Sequence, residues 1–498
     1  MLAWTVYLSF LASLACFCSP ASRPSCARWI ALITSVVATF LPLSILIFKT
    51  APESGAVETI VHLSWVPSLG IHYLLGYDGI SLIMVLLTGI ASMSAILFSW
   101  NIEHRTGEFF GFLMALIGGV YGVFISSFDL FLLFVFYEIA IIPKYFLIAI
   151  WGSTRKSYGA MKLVLYSFVG SALALVGIMA AFVVSGAESF ALQDLIAFPY
   201  EEGFQRWAFP VTFLGFVILA GLWPFHTWAP TGHVAAPTGT SMLLAGVVMK
   251  LGAYGALRIP LTLFPMGAAM WREELALLAA VGIVAGALVA LVQQDFKFII
   301  GYSSVSHMGF VVLGLLATTE TGLSGAVLQM FSHGIIAGLL FAVVGRMVYA
   351  RTHTRDLKEL QWMNLRAQLP FASTLFLLAG LASIGLPGFS GFVAELHVLA
   401  GAWQSFAWLS LVAGLGIVLG VAYTMRAMLT VFWPSALVTG SGKAPILEPI
   451  TLQEKWGACL LVVATLSVGL YPKWMLDWIT PCLQSPMLKP LTEGMAPM

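Results

Sequence analysis

The sequence predicts an all-α integral membrane protein with about 14 transmembrane helices, and two observations support this prediction. Of the 498 residues, 60% are hydrophobic and only 9% are charged, whereas soluble domains carry roughly one quarter charged residues. The hydrophobic residues also form continuous runs of membrane length, rather than the period-two alternation of a membrane strand. The net charge of +1 argues against nucleic acid as a partner.

The apolar runs number fourteen, and each is predicted to be one helix. In chain order they lie at about 2–18, 29–48, 79–100, 109–127, 129–151, 161–185, 209–226, 238–256, 276–294, 298–318, 322–348, 370–402, 405–433 and 455–472. The first run resembles a signal peptide but lacks a basic leading region, so we interpret it as a retained helix.

The loop charges predict the orientation in the membrane. If the N-terminus is outside, thirteen Lys and Arg residues lie on the inner side and six on the outer side, Arg258 among the six. Because positive loop residues favour the inner side, both termini are predicted to be on the outer side. The acidic loop 186–208 then lies outside.

Two of the apolar runs contain helix-breaking residues at corresponding places. The first break is Gly221-Leu-Trp-Pro224 and the second is Gly385-Leu-Pro387-Gly388. Paired broken helices indicate inverted repeats around a midplane ion path, although ordinary proline kinks are the alternative. The predicted organisation is therefore three N-terminal helices (1–108), a five-helix repeat (109–256), a second, inverted five-helix repeat (276–433) with broken helices 7 and 12, and a C-terminal region (434–498).

Three ionisable residues lie deep inside apolar runs: Glu138, Lys250 and Glu395. A charge at the bilayer centre costs roughly 2.5–3.5 kcal/mol, so such groups usually face a protein or water-filled interior and carry ions or protons. A static ion pair or helix-end stabiliser is the alternative for each. His333 is also intramembrane and is either a proton relay or a structural histidine.

Lys144 follows Pro143 and lies six residues after Glu138. Six residues turn a helix by about 600°, so the two side chains share a face only if the proline distorts the turn. Snorkelling to the inner surface is the equally weighted alternative. His226 and His233 flank the first break and are expected to cap backbone groups, and His307 and His353 are expected to be structural.

The sequence carries no pattern of a resident cofactor. The five cysteines have no CxxC pair or metal-ligand spacing, so neither a zinc site nor an iron–sulfur cluster is predicted. There is no phosphate loop, nucleotide fingerprint or hydrolytic triad either.

Five motifs occur in a fixed order and together carry a family resemblance. They are FYEIAIIPKYFLIAIWG, PFHTWAPTGHVAAPTGTSMLLAGVVMKLGAYGALR, GYSSVSHMGF, HTRDL and GLPGFSGFVAE. Across about residues 70–435 the chain resembles the antiporter-like chain M (chain 4) family of the proton-pumping NADH:quinone oxidoreductase, respiratory complex I. The resemblance implies fourteen helices, two inverted repeats and broken helices 7 and 12.

The resemblance also implies roles for individual residues. Glu138 resembles the glutamate of helix 5, Lys250 the central lysine of helix 8, and Glu395 the glutamate of helix 12 that distinguishes chain M. His333 resembles the axis histidine of helix 11, and His353 the histidine of the HTRD motif. In the family these groups pass protons, driven by quinone reduction in other subunits.

Two positions depart from the family pattern. The lysine that normally lies seven residues before the histidine of PFHTW is replaced here by Leu219, and the aspartate of the next motif by Thr231. The first half therefore lacks its usual Glu–Lys pair. We expect Lys144 to supply the missing cation; the alternative is a half that pumps poorly or not at all.

The sequence thus predicts a proton-translocating subunit of a complex I type NAD(P)H:quinone oxidoreductase in a bacterial inner membrane, with no redox site of its own. Neighbouring antiporter-like chains, small helical subunits and the lipid bilayer are the expected partners, while other subunits carry FMN, iron–sulfur clusters and quinone. A subunit of a multisubunit Na+/H+ antiporter or membrane hydrogenase, and a structural spacer that has lost transport, remain alternatives.

Overall fold

The computed structural model describes residues 1–51, 55–434 and 446–493. The N-terminal part consists of α1 (Ala3–Phe17), α2 (Pro24–Phe48), β1 (Glu58–Val66), β2 (Ile71–Tyr77), α3 (Gly79–Phe98) and α4 (Thr106–Ile125). A side-chain cap fixes the start of α3, where Asp78 accepts a hydrogen bond from the Ser81 amide, as N-cap aspartates do.

The first predicted repeat continues through nine helices. These are α5 (Leu130–Ile139), α6 (Ile142–Trp151), α7 (Lys156–Ser185), α8 (Leu192–Ile196), α9 (Glu202–Ala220), α10 (Trp228–Ala235), α11 (Thr238–Leu243), α12 (Met249–Arg258) and α13 (Pro260–Leu263). A 3-10 turn (Phe225–Thr227) precedes α10, and a π-helical turn (Leu244–Val248) joins α11 to α12.

The second predicted repeat and the C-terminal part follow. The helices are α14 (Pro265–Val292), α15 (Phe296–Ala317), α16 (Glu320–Phe341), α17 (Ala350–Thr352), α18 (Leu357–Gln361), α19 (Leu365–Gln368), α20 (Pro370–Ser383), α21 (Ser390–Ser405), α22 (Ala407–Val431), α23 (Leu452–Leu470), α24 (Lys473–Leu483) and α25 (Lys489–Glu493). A π-helical turn (Ala342–Tyr349) joins α16 to α17.

All fourteen predicted runs fall on helices, which confirms the helical membrane fold. In the described residues, eleven helices are long and apolar enough to cross a membrane, or twelve if α23 and α24, bent by 69°, form one span. The runs at 2–18 and 370–402 fall on shorter helices, the latter interrupted between Ser383 and Ser390. The number of fourteen crossings therefore stays a prediction.

A β-hairpin is the one departure from an all-helical chain in the described ranges. Strands β1 and β2 pair antiparallel between α2 and α3, in a stretch that lies outside the predicted helical runs. Gly70 forms the turn with φ +64°, and a Cβ there would lie 1.9 Å from the Glu188 carbonyl oxygen, so the turn requires glycine. The end of the bundle that carries this hairpin is called the hairpin face below.

Two loops join the helices of the two halves in the same way. An isolated bridge links Asp129, before α5, to Ala191, before α8, and another links Asp295, before α15, to Asp356, before α18. The paired hydrogen bonds are Leu130 N to Phe190 O, Leu192 N to Phe128 O, Phe296 N to Arg355 O and Leu357 N to Gln294 O. This correspondence supports two repeats, while their inverted relation stays a prediction.

Burial separates a polar centre from a lipid-facing periphery. In their most apolar 18-residue stretches, the spans Thr238–Leu263 and Glu320–Thr352 are 100% buried, whereas Lys156–Ser185 and Ala407–Val431 are only 39% buried and expose large apolar side chains. Arg258, one of the six predicted outer cations, and Lys297, one of the thirteen predicted inner ones, are also buried in the protein, so neither is a loop charge. Lys443, another counted cation, lies outside the described residues.

Candidate functional site

Lys250 lies fully buried where the π-helical turn passes into α12. In that turn the Met249 amide bonds to the Leu244 carbonyl, five residues back. The Lys250 ammonium donates a hydrogen bond to the neighbouring Ala245 carbonyl, and its Nζ lies 2.8 Å from Nδ1 of His333. The local π geometry thus provides a backbone acceptor for a lysine that has no water-exposed route.

His333, in the middle of α16, connects Lys250 to the second half. It is buried, and its Nε2 atom has no hydrogen-bond partner. Its ring stacks on the ring of His307 from α15, with centroids 5.4 Å apart and planes inclined by 28°. The structure therefore joins two histidines that are 26 residues apart in sequence.

His307 makes the contact that reaches Glu395. Its Nδ1 lies 3.3 Å from Oε1 of Glu395 and also 3.3 Å from Nε2 of Gln329, and its Nε2 lies 3.1 Å from the Ser383 hydroxyl. His307 was expected to be only structural. The structure instead places His307 between His333 and Glu395, two of the predicted site residues. This position was not predictable from sequence, because the partners lie on other helices.

Glu395 lies on α21, directly beyond the second helix break. Gly385 in this break has φ +73°, and a Cβ on it would lie 2.7 Å from Oε2 of Glu395. The positive φ of the break favours glycine, and the Glu395 carboxylate lies against the open side of this residue. Oε2 has no hydrogen-bond partner, and the first turn of α21 directs free amide groups toward this region.

A small cavity lies among these groups. Its volume is about 10 Å3, and its lining includes His307, His333, Gln329 and Glu395. A space of this size, bordered by three or more polar groups, suits a single water molecule. We call Lys250, His333, His307 and Glu395 the central row.

The first half holds a second acid and base, in a different arrangement. Lys144 is fully buried, which excludes snorkelling, and Glu138 is half-buried. The chain between them leaves the helical path at Ala140, where the Ile141 amide bonds to the Glu138 carbonyl three residues back, so the distortion needed to bring the two together is present. They interact electrostatically, yet Lys144 Nζ and Glu138 Oε1 have no hydrogen-bond partner.

Leu219 lies buried on α9, close to α12. A Cβ on Gly252 of α12 would lie 2.4 Å from the Phe216 carbonyl oxygen and 2.5 Å from the Ala220 amide nitrogen, so the two backbones are in direct contact here. An apolar side chain therefore occupies the position, between Glu138 and Lys250 in chain order, for which the family resemblance implies a lysine.

His233 and His353 lie in different environments, and both lie outside the central row. His233 is fully buried, and neither of its ring nitrogens has a hydrogen-bond partner, so its predicted capping role is wrong; its ring lies 5.2 Å from that of Phe341. His353 is exposed in the loop after α17. The structure does not bring His353 into the central row.

Metal coordination has no support in the described ranges. No group of three or more His, Cys, Asp or Glu side chains there is arranged to hold a metal ion. The chemistry that the central row offers is proton transfer, since amine, imidazole and carboxyl groups in contact can exchange protons and shift one another's protonation.

Known proteins resemble this chain in sequence and in fold. A family model for the membrane region of NADH:quinone oxidoreductase and Mrp antiporter subunits matches residues 127–420. NADH-quinone oxidoreductase subunit M of Rhodobacter capsulatus is 37% identical over 466 residues, covering 91% of this chain and 89% of the relative.

Solved structures of membrane complexes also contain chains that resemble this one in fold. A chain of respiratory complex I from Thermus thermophilus superposes with a TM-score of 0.89 and 28% identity, covering 99% of this chain and 100% of that one. A chain of the Mrp complex from Dietzia sp. DQ12-45-1b has a TM-score of 0.84 at 19% identity, covering 99% and 98%, which is a likeness of fold alone.

Proposed function

The chain belongs to the NADH:quinone oxidoreductase/Mrp antiporter membrane family, and we propose that it is the proton-translocating membrane subunit of a complex I type NAD(P)H:quinone oxidoreductase. The observation that carries this proposal is the central row, in which contacts lead from Lys250 through two stacked histidines to Glu395. It is a subunit of a translocase, and the redox chemistry belongs to its partners.

Proton transfer along the row follows from the contacts. The Lys250 ammonium is placed to give a proton to Nδ1 of His333 at 2.8 Å. The cavity beside the two imidazole rings can hold one water. That water passes a proton between Nε2 of His333 and the imidazole ring of His307. Nδ1 of His307 then exchanges a proton with the Glu395 carboxylate at 3.3 Å.

Partner subunits supply the driving force in this proposal. FMN, iron–sulfur clusters and quinone are bound by those subunits, and a redox event there changes the charge at one end of the row. Because the groups of the row interact, a charge change at one group shifts the protonation of the next.

The first half works through Glu138 and Lys144. An isolated buried charge is too costly to persist unless it is paired, hydrated or neutralised. Lys144 is the buried cation that interacts with Glu138, and it stands in for the lysine absent at position 219. We leave His353 out of the pathway, since it is exposed beyond the end of α17.

The protein is a multi-pass integral membrane protein, and we place it in a bacterial inner membrane with both termini on the outer side. The excess of loop cations on the opposite side carries this orientation. The neighbours we propose are other antiporter-like chains and small helical subunits.

A structural spacer is the second candidate, and Leu219 is the observation that favours it. The proton-to-electron ratio of the intact assembly, reconstituted in vesicles with Glu395→Gln, separates the two. A pump loses protons per electron, because the amide keeps the shape but no longer exchanges a proton. A spacer with Glu395→Gln retains the ratio of the unmodified assembly. Glu359→Gln, at an exposed residue, is the matched control.

A further inference from the structure

Three hydroxyl side chains from three helices bond to one another beside the central row. The hydroxyl oxygens of Ser332 on α16 and Ser390 on α21 lie 2.8 Å apart. The hydroxyl oxygens of Ser390 and Thr465 on α23 also lie 2.8 Å apart. All three residues are buried, with at most 2% of their surface exposed, and we call them the hydroxyl row.

The hydroxyl row is bonded differently from other buried hydroxyls of the bundle. A serine or threonine inside a helix often donates to the carbonyl three or four residues earlier, as Thr88 does to Met84 at 2.8 Å. Among the hydrogen bonds of the described residues, none joins Ser332, Ser390 or Thr465 to a carbonyl. Each hydroxyl therefore depends on its neighbours in the row.

One end of the hydroxyl row borders the cavity of the central row. Ser332 lines that cavity together with His333 and Glu395. Nε2 of His333 and Oε2 of Glu395 have no hydrogen-bond partner, and the Ser332 hydroxyl can form more than its one bond. A water in this cavity thus has at least three polar neighbours, as a buried water requires.

The packing of α23 fixes the other end of the hydroxyl row. Gly469, four residues after Thr465, lies against the second break, because a Cβ on it would lie 2.2 Å from the Gly388 carbonyl oxygen. Residues four apart share one helix face, so Thr465 faces the same region. Beyond α23, α24 packs at the hairpin face, where a Cβ on Gly79 would lie 2.0 Å from the Trp478 carbonyl oxygen.

The number of hydrogens in the hydroxyl row allows two orientations. Three hydroxyls carry three hydrogens, and the row contains two hydrogen bonds, so one hydrogen is left at an end. When Thr465 donates to Ser390 and Ser390 to Ser332, the Ser332 hydrogen is available to the cavity. When all three rotate, Ser332 donates to Ser390 and presents a lone pair to the cavity instead. The rotation breaks no O–H bond.

We propose that the hydroxyl row orients the water of the central row and reverses as Glu395 gains and loses a proton. This inference rests on the proposed function and names positioning residues for it. The Ser332 hydrogen stabilises the ionised carboxylate through the water, and the Ser332 lone pair accepts from the water once the carboxyl group is protonated. The transferred proton stays within the central row, because the hydroxyl row ends at Thr465 among the described contacts.

The decisive variant is Thr465→Val, which removes the hydroxyl farthest from the cavity and keeps the branched shape. Without the Thr465 oxygen, the Ser390 hydrogen has an acceptor in only one of the two orientations, so the row no longer reverses freely. The measurement is the initial rate of proton translocation per assembled complex in vesicles during quinone reduction. We expect the rate to fall about tenfold, the effect of roughly one neutral hydrogen bond.

Two further variants separate the hydroxyl row from simple packing. Ser332→Ala should slow translocation as well, and adding Thr465→Val to it should have no further effect, because the row then no longer reaches the cavity. Thr465→Ser should keep the rate of the unmodified assembly, since it retains the hydroxyl. The control is Thr88→Val, which removes a buried hydroxyl that is bonded to its own helix.

The outcomes distinguish this inference from the proposed function. If Thr465→Val translocates protons as fast as Thr88→Val while Glu395→Gln is slow, the hydroxyl row has no role and the proposed function stands. Equal slowing in Thr465→Ser and Thr465→Val, or further slowing when Thr465→Val is added to Ser332→Ala, would also overturn the inference. If Glu395→Gln is as fast as the unmodified assembly, the proposed function itself fails.

Discussion

In the central row, buried ionisable side chains from both halves touch one another, whereas Glu138 and Lys144 of the first half interact without a direct hydrogen bond. His307 joins Glu395 at 3.3 Å and stacks on His333, which meets Lys250 at 2.8 Å. Glu138 and Lys144 interact only at longer range. The same fold therefore holds one row that is preorganised for proton exchange and one pair that needs hydration or movement to exchange protons.

The difference is traceable to single positions. Both breaks contain a glycine with positive φ, Gly221 and Gly385, but the second half also has His307 on α15, in contact with Glu395. The first half has Leu219 two residues before its break, where the family resemblance implies a lysine, and the cation that interacts with Glu138 is Lys144 of α6. Variants at these positions test whether the two halves differ in proton transfer as their contacts indicate.

The largest effect is expected for Lys250→Ala, since Lys250, in the first half, contacts His333 of the second half and forms one end of the central row. Proton transfer through this chain should fall by roughly a hundredfold, so that its share of the protons moved per electron is lost from the assembly. The measurement is the proton-to-electron ratio of the reconstituted assembly. Lys358→Ala, at an exposed cation on α18, is the control, and an unchanged ratio in Lys250→Ala would contradict the account.

His307→Asn should produce the next largest effect. Asparagine keeps a polar group beside Ser383 and Glu395 but does not take up a proton, so that the row is interrupted between its two ends. We expect proton translocation to fall about tenfold or more, with quinone reduction measured in the presence of an uncoupler largely retained. If His307→Asn translocates protons as fast as the unmodified assembly, His307 has only a structural role.

A smaller effect is expected for Lys144→Ala, because the first half is not preorganised. The proton-to-electron ratio should decrease, and Leu219→Lys introduced into the same variant should restore part of it by returning a cation to the usual position. Leu219→Met is the matched control, since it fills the site without a charge. If Lys144→Ala keeps the ratio of the unmodified assembly, the first half does not depend on this cation.

The smallest effect is expected for His353→Ala. The side chain is exposed and outside the central row, so the ratio should remain within the error of the unmodified assembly. A decrease as large as that of Lys144→Ala would mean that the HTRD loop belongs to the proton path.

The helices were predictable because a membrane-length apolar run has few alternatives to a helix in lipid. The intramembrane Glu138, Lys250 and Glu395 were predictable for a related reason, as charges that cost free energy in the bilayer. The hairpin was missed because its strands lie outside the apolar runs, so that the periodicity that identified the helices did not apply to them.

The contacts within the site were not predictable from sequence. His307 and Glu395 are 88 residues apart, and only the packing of α15 against α21 reveals that they touch. The π-helical turn before Lys250 has no signature in the residues that form it. The pairing of Arg258 with Asp78 likewise depends on tertiary contact, which is why Arg258 was counted as a loop charge.

The central claim is that the row is a hydrated proton path rather than a set of inert contacts. An experimental map of the intact assembly at a resolution that shows ordered waters tests it most directly. The account predicts a water in the cavity beside His307 and Gln329, bonded to Nε2 of His333 or to Oε2 of Glu395. A dry cavity, with both of those atoms lacking any polar neighbour, would contradict it.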